Sequence, residues 1–223
     1  MQSLLLTLSL AITGDPCAQQ GDPALPIALD ATFNELELDF KGAVLVETGF
    51  PFNFYGRDYN SVWINGNGTL SFCQPVTSKT GGLMPSLGRP LIAPFWAAAD
   101  PLNCDTMTGA GKVWFRNDAN RLVVVWDHMG YEGMNNTGAP QLTNTFEAVL
   151  TDGSDPIVGV GNNVLLAYGD MGWSGADTTG GLNGFGGAPA YAGIDSGDGS
   201  LAELIGRFRH DHAIFTSPST DSG

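Results

Sequence analysis

The segment "GFPFNFYGRDYNSVWINGNGTLSFCQP", residues 49–75, places seven aromatic residues among four glycines and four asparagines. In its second half, Val62 and Ile64 precede an Asn-Gly-Asn-Gly turn, and Leu70 and Phe72 follow it. Asn-Gly supplies the positive φ angles that a tight β-hairpin needs. Because side chains alternate along a strand, these four apolar residues are expected to share one face of the hairpin. A hairpin and its packing therefore explain most of the aromatics and glycines in this segment.

The rest of the chain repeats this pattern of short apolar segments separated by turn residues, and 31 of the 223 residues are glycine. Further apolar segments lie at residues 43–50, 90–100, 111–118, 120–131, 143–155, 163–173 and 212–215. The glycine-rich stretch at residues 174–200 encloses a short strand near "AYAGID". The best helical candidate, "SLAELIGRF" at residues 200–208, is short. We therefore predict an all-β fold, an antiparallel β-sandwich of about 9–11 strands with long Gly-rich loops.

The charge of the chain excludes two classes of partner. The net charge is −14 and the sequence pI is about 4.2. Phosphate backbones would be repelled, so nucleic acid is not expected as a partner. Anionic membrane surfaces are excluded for the same reason. The acidic surface indicates either a protein kept soluble by its charge or one that binds cations or works in a salty habitat.

The N-terminal segment has two interpretations. The apolar residues 4–12 are too few to span a bilayer, so no membrane insertion is expected, and they fit the core of a secretory signal peptide. Within them, "LTLSLAIT" at residues 6–13 alternates apolar and polar side chains, as a half-buried strand does. We therefore assign residues 1–26 to a signal peptide or an N-terminal strand plus linker. One β domain is expected over residues 27–216, and a flexible tail over residues 217–223.

Six blocks follow one another along the chain: "FPFNFYGRDYNSVWINGNGTLSF", "IAPFWAAAD", "GKVWFR", "VVVWDHMGYE", "TNTFEAVLTDG" and "YAGIDSGDG". Their order resembles the extracellular nidogen-like (NIDO) domain, and the glycine-rich stretch resembles its bacterial secreted or surface type. The resemblance covers about residues 27–208. After the tryptophan the family often has Ala-Asp-x-Asp, whereas here Ala97, Ala98 and Ala99 precede Asp100, so only the final acidic residue remains. It implies a secreted, extracellular or cell-surface module for adhesion or matrix, not an enzyme. Its partner would be an extracellular protein, a glycan or another copy of the chain.

Two other classes of function stay open beside adhesion. One is a structural subunit of an extracellular surface fibre, in which residues 6–13 are a strand donated to a neighbour. The other is a carbohydrate-binding or hydrolase domain. No G-x-S-x-G turn accompanies His128 to complete a hydrolytic triad, and "GGLNGFGG" lacks the setting of a phosphate loop.

Carboxylates in "DSGDGSLAE" are the candidate metal ligands. Asp195, Asp198 and Glu203 stand close together among glycines and could bind Ca²⁺ through oxygen. Gly197 falls where the calcium-loop pattern needs an acid, so a solvated turn is the competing interpretation. His210 and His212 would share one face of a strand, but without a third ligand they read as surface residues. No other cofactor is expected.

Cysteines and loop aromatics complete the candidates. No two of Cys17, Cys73 and Cys104 have C-x-x-C spacing, so neither a zinc site nor a thioredoxin-type site is indicated. If Cys17 is removed with a signal peptide, Cys73 and Cys104 form either a disulfide or two buried free thiols. Tyr55, Tyr59 and Trp173 lie beside loops and could stack on a glycan or a partner, or else cap the edges of the sandwich. Glycosylation sequons begin at Asn67 and Asn135, and the first coincides with the hairpin turn.

Overall fold

The chain folds into two packed β-sheets. The computed structural model describes residues 7–8 (backbone only), 25–38, 41–81, 84, 88–101, 111–133 and 142–208. Within these residues one 3₁₀ helix is present, at Asp177–Thr179. The strands are β1 (Thr7–Leu8), β2 (Asn34–Leu36), β3 (Ala43–Phe54), β4 (Arg57–Asn65), β5 (Thr69–Ser71), β6 (Leu91–Trp96), β7 (Ala99–Asp100), β8 (Lys112–Asn117), β9 (Arg121–Tyr131), β10 (Asn144–Thr151), β11 (Val164–Met171), β12 (Ala190–Asp195) and β13 (Ala202–Phe208).

The first sheet has the order β1-β11-β10-β9-β8-β2, with β7 pairing to β9, and the second has the order β13-β12-β6-β5-β4-β3. Every pairing is antiparallel except that of β1 with β11. The predicted all-β sandwich is therefore confirmed. The described residues form 13 strands rather than the predicted 9–11, and two of these strands, β1 and β7, have only two residues each.

The short helix suggested for residues 200–208 is wrong. The segment instead forms β13, which pairs with β12 from Ala190↔Phe208 to Asp195↔Ala202. A register shift between Ala192 and Gly193 accommodates one extra residue on β13. Alanine, leucine and glutamate favour a helix locally, but the backbone hydrogen bonds to β12 outweigh that weak preference.

The hairpin at residues 62–72 forms as predicted. Val62, Ile64, Leu70 and Phe72 are fully buried in the core between the two sheets. Asn65 pairs with Thr69 across a three-residue loop, and the positive φ lies at Gly68 (+81°). This is a wider turn than the two-residue Asn-Gly type that the sequence indicates.

A second apolar cluster lies on the outer face of the first sheet. We call residues 25–33, which precede β2, the strap. Ile27 and Phe33 of the strap are 6% and 7% exposed and pack on side chains from β9, β10 and β11. The strap therefore covers a sheet face that alternation alone would leave in solvent. The sheet residues beneath it are Val123, Val125, Val149 and Leu165.

Several predictions fall outside the described residues. Among these are the possible closing strand at residues 212–215, the histidine pair His210 and His212, and Cys104. The domain boundaries at residues 26–27 and 216–217 stay predictions. Among the described residues, no helix is long and apolar enough to cross a membrane.

Candidate functional site

The tip of the β3–β4 hairpin is the first part of the candidate site. Phe54 pairs with Arg57, so the turn has two residues, Tyr55 and Gly56, with φ angles of 51° and 78°. Positive φ at both central positions is the hairpin geometry that asparagine and glycine normally adopt. A tyrosine in the left-handed region costs roughly 1–2 kcal/mol. The hairpin thus presents an aromatic residue in a strained conformation at its tip.

Two neighbouring rings support this tip. The ring of Tyr55 contacts that of Phe54 edge-on, with centroids 4.7 Å apart. Tyr59, further along β4, packs 4.4 Å from the ring of Phe72. Both tyrosines are half-buried and lie against the main core. Each ring is therefore held in place by the core while part of its surface stays open to a partner.

The structure brings Tyr55 together with two of the predicted cation ligands. Burial, followed by the negative charges of Glu203 and Asp195, raises the pKa of Tyr55 to about 12. The phenol therefore keeps its proton at neutral pH and can donate a hydrogen bond toward acceptors. Aromatic and carboxylate groups that the sequence suggested for separate sites thus influence one another, and of the two carboxylates Glu203 is exposed to solvent.

The carboxylates of "DSGDG" close the turn between β12 and β13. Asp195 is 1% exposed, and its Oδ1 accepts the backbone N–H of Gly197 at 2.7 Å. Oδ1 of Asp198 accepts the hydroxyls of Ser196 and Ser200 at 2.6 and 2.5 Å. Those two hydroxyls, with the Ser200 N–H, lower the pKa of Asp198 to about 2. These hydrogen bonds hold the turn in place, and of its two carboxylates only that of Asp198 is exposed to solvent.

Glu203 is not part of the turn that Asp195 and Asp198 close. It is exposed on β13, opposite Ile194 of β12. Among the described residues, no group of three His, Cys, Asp or Glu side chains has an arrangement suited to a metal ion. Calcium binding by Asp195, Asp198 and Glu203 therefore stays a prediction.

Trp173 corrects the prediction of an exposed stacking residue. Its side chain is 2% exposed, and its ring lies edge-on to that of Phe95 at 5.0 Å. The indole Nε1 donates to the carbonyl oxygen of Met129 at 2.8 Å. Asn144 fixes the backbone, since its side chain bonds both the N–H and the carbonyl of Trp173 at 3.0 Å. Trp173 is therefore a core residue that closes the interior below the glycine-rich loop.

The sequon at Asn67 is buried. Asn67 is 1% exposed, and its Nδ2 donates to the carbonyl oxygens of Val76 and Ser78 at 3.1 and 2.9 Å. The amide therefore anchors residues 76–78 over the outer face of the second sheet, which leaves no room for a glycan in the folded protein. Asn135 lies outside the described residues.

Cys73 is exposed and has a φ of 74°. Its predicted partner, Cys104, lies outside the described part of the chain, so the disulfide stays a prediction. His128 is held by its sequence neighbour, with Nδ1 2.6 Å from Oδ1 of Asp127.

One unusual group, the side chain of Glu147, has no signal in the local sequence. It lies in the middle of β10, is 0% exposed, and neither carboxyl oxygen has a hydrogen-bond partner among the described residues. Burial raises its pKa to about 8. In "NTFEAVLT", Glu147 occupies a polar position of the alternation, so the local sequence indicates an ordinary solvated face. The strap that covers it is more than 100 residues away in the chain.

Comparison with known proteins gives a consistent set of relatives. The family model described as NIDO related matches residues 25–197. Alpha-tectorin of Mus musculus and of Homo sapiens is 28% identical over 202 residues, covering 80% of this chain and 8% of alpha-tectorin. Dendrite extension defective protein 1 of Caenorhabditis elegans is 29% identical over 178 residues, covering 69% of this chain and 14% of that protein. The chain thus spans a small part of these relatives, and no solved structure matches it. These matches do not support the bacterial type that the glycine-rich stretch indicated.

Proposed function

Because this chain belongs to the NIDO-related family, we propose that it is a non-catalytic module for adhesion or matrix assembly that acts through its outer surface. The chain is extracellular. The observation that carries the proposal is the β3–β4 hairpin tip, where Tyr55 adopts a φ of 51° near the carboxylates of Asp195 and Glu203. Its partner is an extracellular protein or a glycan.

Strain at Tyr55 supports a binding role for the tip. Asparagine or glycine would adopt the same turn without the cost that tyrosine carries. Residues in such conformations concentrate at active sites and ligand clamps, where the strain is part of the mechanism. A tyrosine supplies a large, rigid contact surface with a polar end, which is why it is enriched at interfaces.

Charge defines the chemistry of the partner. The net charge of −14 and the exposed carboxylate of Glu203 near Tyr55 favour hydrogen-bond donors and positive groups. A basic segment of an extracellular protein meets both conditions, and a neutral glycan meets the first through its hydroxyls. Binding to a basic partner should weaken as ionic strength rises, because salt screens exposed charges over about 8 Å at physiological concentration.

Binding is tested with the purified protein on a glycan array and on immobilised extracellular-matrix fractions. We expect the protein to bind at least one class of glycan or one matrix fraction. We expect Tyr55→Asn to weaken that binding at least tenfold. The matched control is Val160→Ser, which changes an 80% exposed residue in the loop after β10 and should leave binding unchanged. Full binding by Tyr55→Asn would contradict the role of the tip, and no binding to either surface would contradict the proposal. An esterase and glycosidase screen tests the hydrolase alternative.

A structural role in a fibre is the second candidate, and one observation favours it. The backbone of Thr7–Leu8 pairs in parallel with Leu165 and Leu166 on β11, at the edge of the first sheet. The same pairing between two copies would join them by strand addition. Electron microscopy of the protein with and without residues 1–13 tests this, because polymers should disappear with the segment. A mature chain that begins after residue 18 would remove the candidate.

A further inference from the structure

The outer face of the first sheet contains an acid in an apolar setting. Glu147 pairs across β10 with Val125 on β9 and Ala167 on β11. Its carboxyl group is fully buried and makes no hydrogen bond to any described residue. An ionised carboxylate in such a place is strongly disfavoured, whereas the protonated form is tolerated. A buried group of this kind is rare in folded proteins and calls for an explanation.

The strap is the lid over this carboxyl group. Ile27 packs with Val125 and Val149, which flank Glu147 on the same face of the sheet. The backbone N–H of Ile27 lies near the carboxyl group and favours its charged form, but the geometry does not meet that of a hydrogen bond. Lifting the strap would therefore expose the carboxyl group to water.

Neighbouring cations do not neutralise Glu147. Arg121 on β9 bonds Asp118 at 2.6 Å and Asp155 at 2.9 Å. Arg116 on β8 lies 3.3 Å from Asp118 and 3.5 Å from Asp30 of the strap, and its guanidinium lies over the ring of Phe33 at 4.7 Å. Both arginines favour the charged form of Glu147 at a distance, but each is engaged by other acids. The charged groups that face this region are Asp30, Arg116, Asp118, Arg121 and Asp155.

We propose that the strap is a latch operated by one proton: it stays closed while Glu147 is protonated and opens when Glu147 ionises. The direction follows from the two forms of the carboxyl group. Burial raises its pKa to about 8 in the closed form, from the ordinary glutamate value of 4.5. The closed form therefore holds a proton that the open form releases. Between these two values, each increase of one pH unit should favour the open form by up to about tenfold.

Opening would change the surface of the protein. The strap covers a valine-rich patch, Val123, Val125, Val149 and Leu165, that becomes accessible when the strap leaves. Alkaline conditions would thus expose an apolar surface suited to binding, and acidic conditions would cover it. The latch is independent of the proposed role of Tyr55, which lies on the other sheet, so each can fail without the other.

Hydrogen exchange followed by NMR from pH 5 to pH 8 tests the latch. Phe33 is the reporter, because its N–H donates to the carbonyl of Asp30 within the strap. Leu182 is the control, because its N–H donates to Phe185 in the glycine-rich loop. Exchange of any locally opening amide rises about tenfold per pH unit through hydroxide catalysis. We expect this slope for Leu182 and up to about a hundredfold per unit for Phe33.

Glu147→Gln removes the proton and should return Phe33 to the slope of Leu182. Equal slopes in the unchanged protein, or a steep slope that survives Glu147→Gln, would overturn the latch. Exchange of Phe33 at the same rate as Ala148 in β10 would also overturn it, since the strap would then open only with the whole domain. If the variant does not fold, a carbon-13 titration of Glu147 in the unchanged protein decides: a midpoint well above 4.5 supports the latch, and an ordinary midpoint overturns it.

Discussion

The carbonyl oxygen of Phe95 lies 2.0 Å from the position that a Cβ on Gly68 would occupy. This close approach joins the β4–β5 hairpin to β6, since Phe95 N–H also donates to the carbonyl oxygen of Gly68. The glycine is therefore required twice, by its φ of +81° and by the backbone against it. The sequence motif that predicts the hairpin also allows the next strand to dock on it.

Gly68→Ala should destabilise the protein strongly. A side chain would strain the positive φ and displace a backbone carbonyl, which cannot rotate away as a side chain can. We expect a loss of about 3 kcal/mol or more in the free energy of unfolding, measured by urea titration. The matched control is Gly161→Ala, where φ is +93° but no atom lies within 4 Å of the added Cβ. Gly161→Ala should lower the free energy of unfolding by about 1 kcal/mol. Equal losses in the two variants would show that the contact of Gly68 with Phe95 does not contribute to stability.

Asn67→Gln should lower the free energy of unfolding, although Asn67 carries no glycan in the folded protein. The buried amide donates to the carbonyls of Val76 and Ser78, and a longer side chain cannot keep both hydrogen bonds. Leaving buried groups unpaired costs about 1–3 kcal/mol each. In unchanged protein secreted from a eukaryotic cell, mass spectrometry of the proteolytic peptides should find no glycan on the peptide that contains Asn67, whatever the state of Asn135. A glycan at full occupancy on folded protein would show that the turn is open rather than buried.

Glu147→Gln should remove a pH dependence of global stability. Because burial raises the carboxyl pKa to about 8, the unfolded chain releases this proton at a lower pH than the folded one. The contribution of this group is therefore full below about pH 4.5 and is lost as pH rises toward about 8, by at most about 5 kcal/mol. Urea titrations at pH 5 and pH 8 should differ less for the variant than for the unchanged protein. An equal difference in both would assign the pH dependence to other groups.

Local sequence patterns predict much of the fold but little of the candidate site. The buried face of Val62 and Ile64 follows from alternation and a turn motif, both of which act over a few residues. The tip at Tyr55 was missed as a tight turn because tyrosine before Gly56 is not the usual pair. The charge of Asp195 acts on the Tyr55 phenol from 140 residues away in the chain, which no local pattern can predict.

Trp173 and Glu147 are both buried where the local sequence indicates exposure, and the reason is the same. Trp173 stands at the start of a glycine-rich stretch, so it looks like a loop residue, yet the loop folds back and its ring enters the core. Glu147 looks like a solvent-facing residue of a strand, yet the strap covers it. In both cases burial depends on a distant segment, so the residue and its neighbours in sequence cannot predict it.

Tyr55→Asn should raise stability while it lowers binding. Asparagine tolerates a φ near +51°, so the substitution relieves backbone strain and should add up to about 1 kcal/mol to the free energy of unfolding. Asn183→Ala is the mirror control, because Asn183 has a φ of 53° in the glycine-rich loop and its loss should cost a similar amount. Thermal and urea unfolding of both variants measures the two shifts. If Tyr55→Asn is instead less stable, packing of the tyrosine ring on Phe54 outweighs the strain. The core alone would then explain the unusual turn, and strain at Tyr55 would no longer support a binding role for the tip.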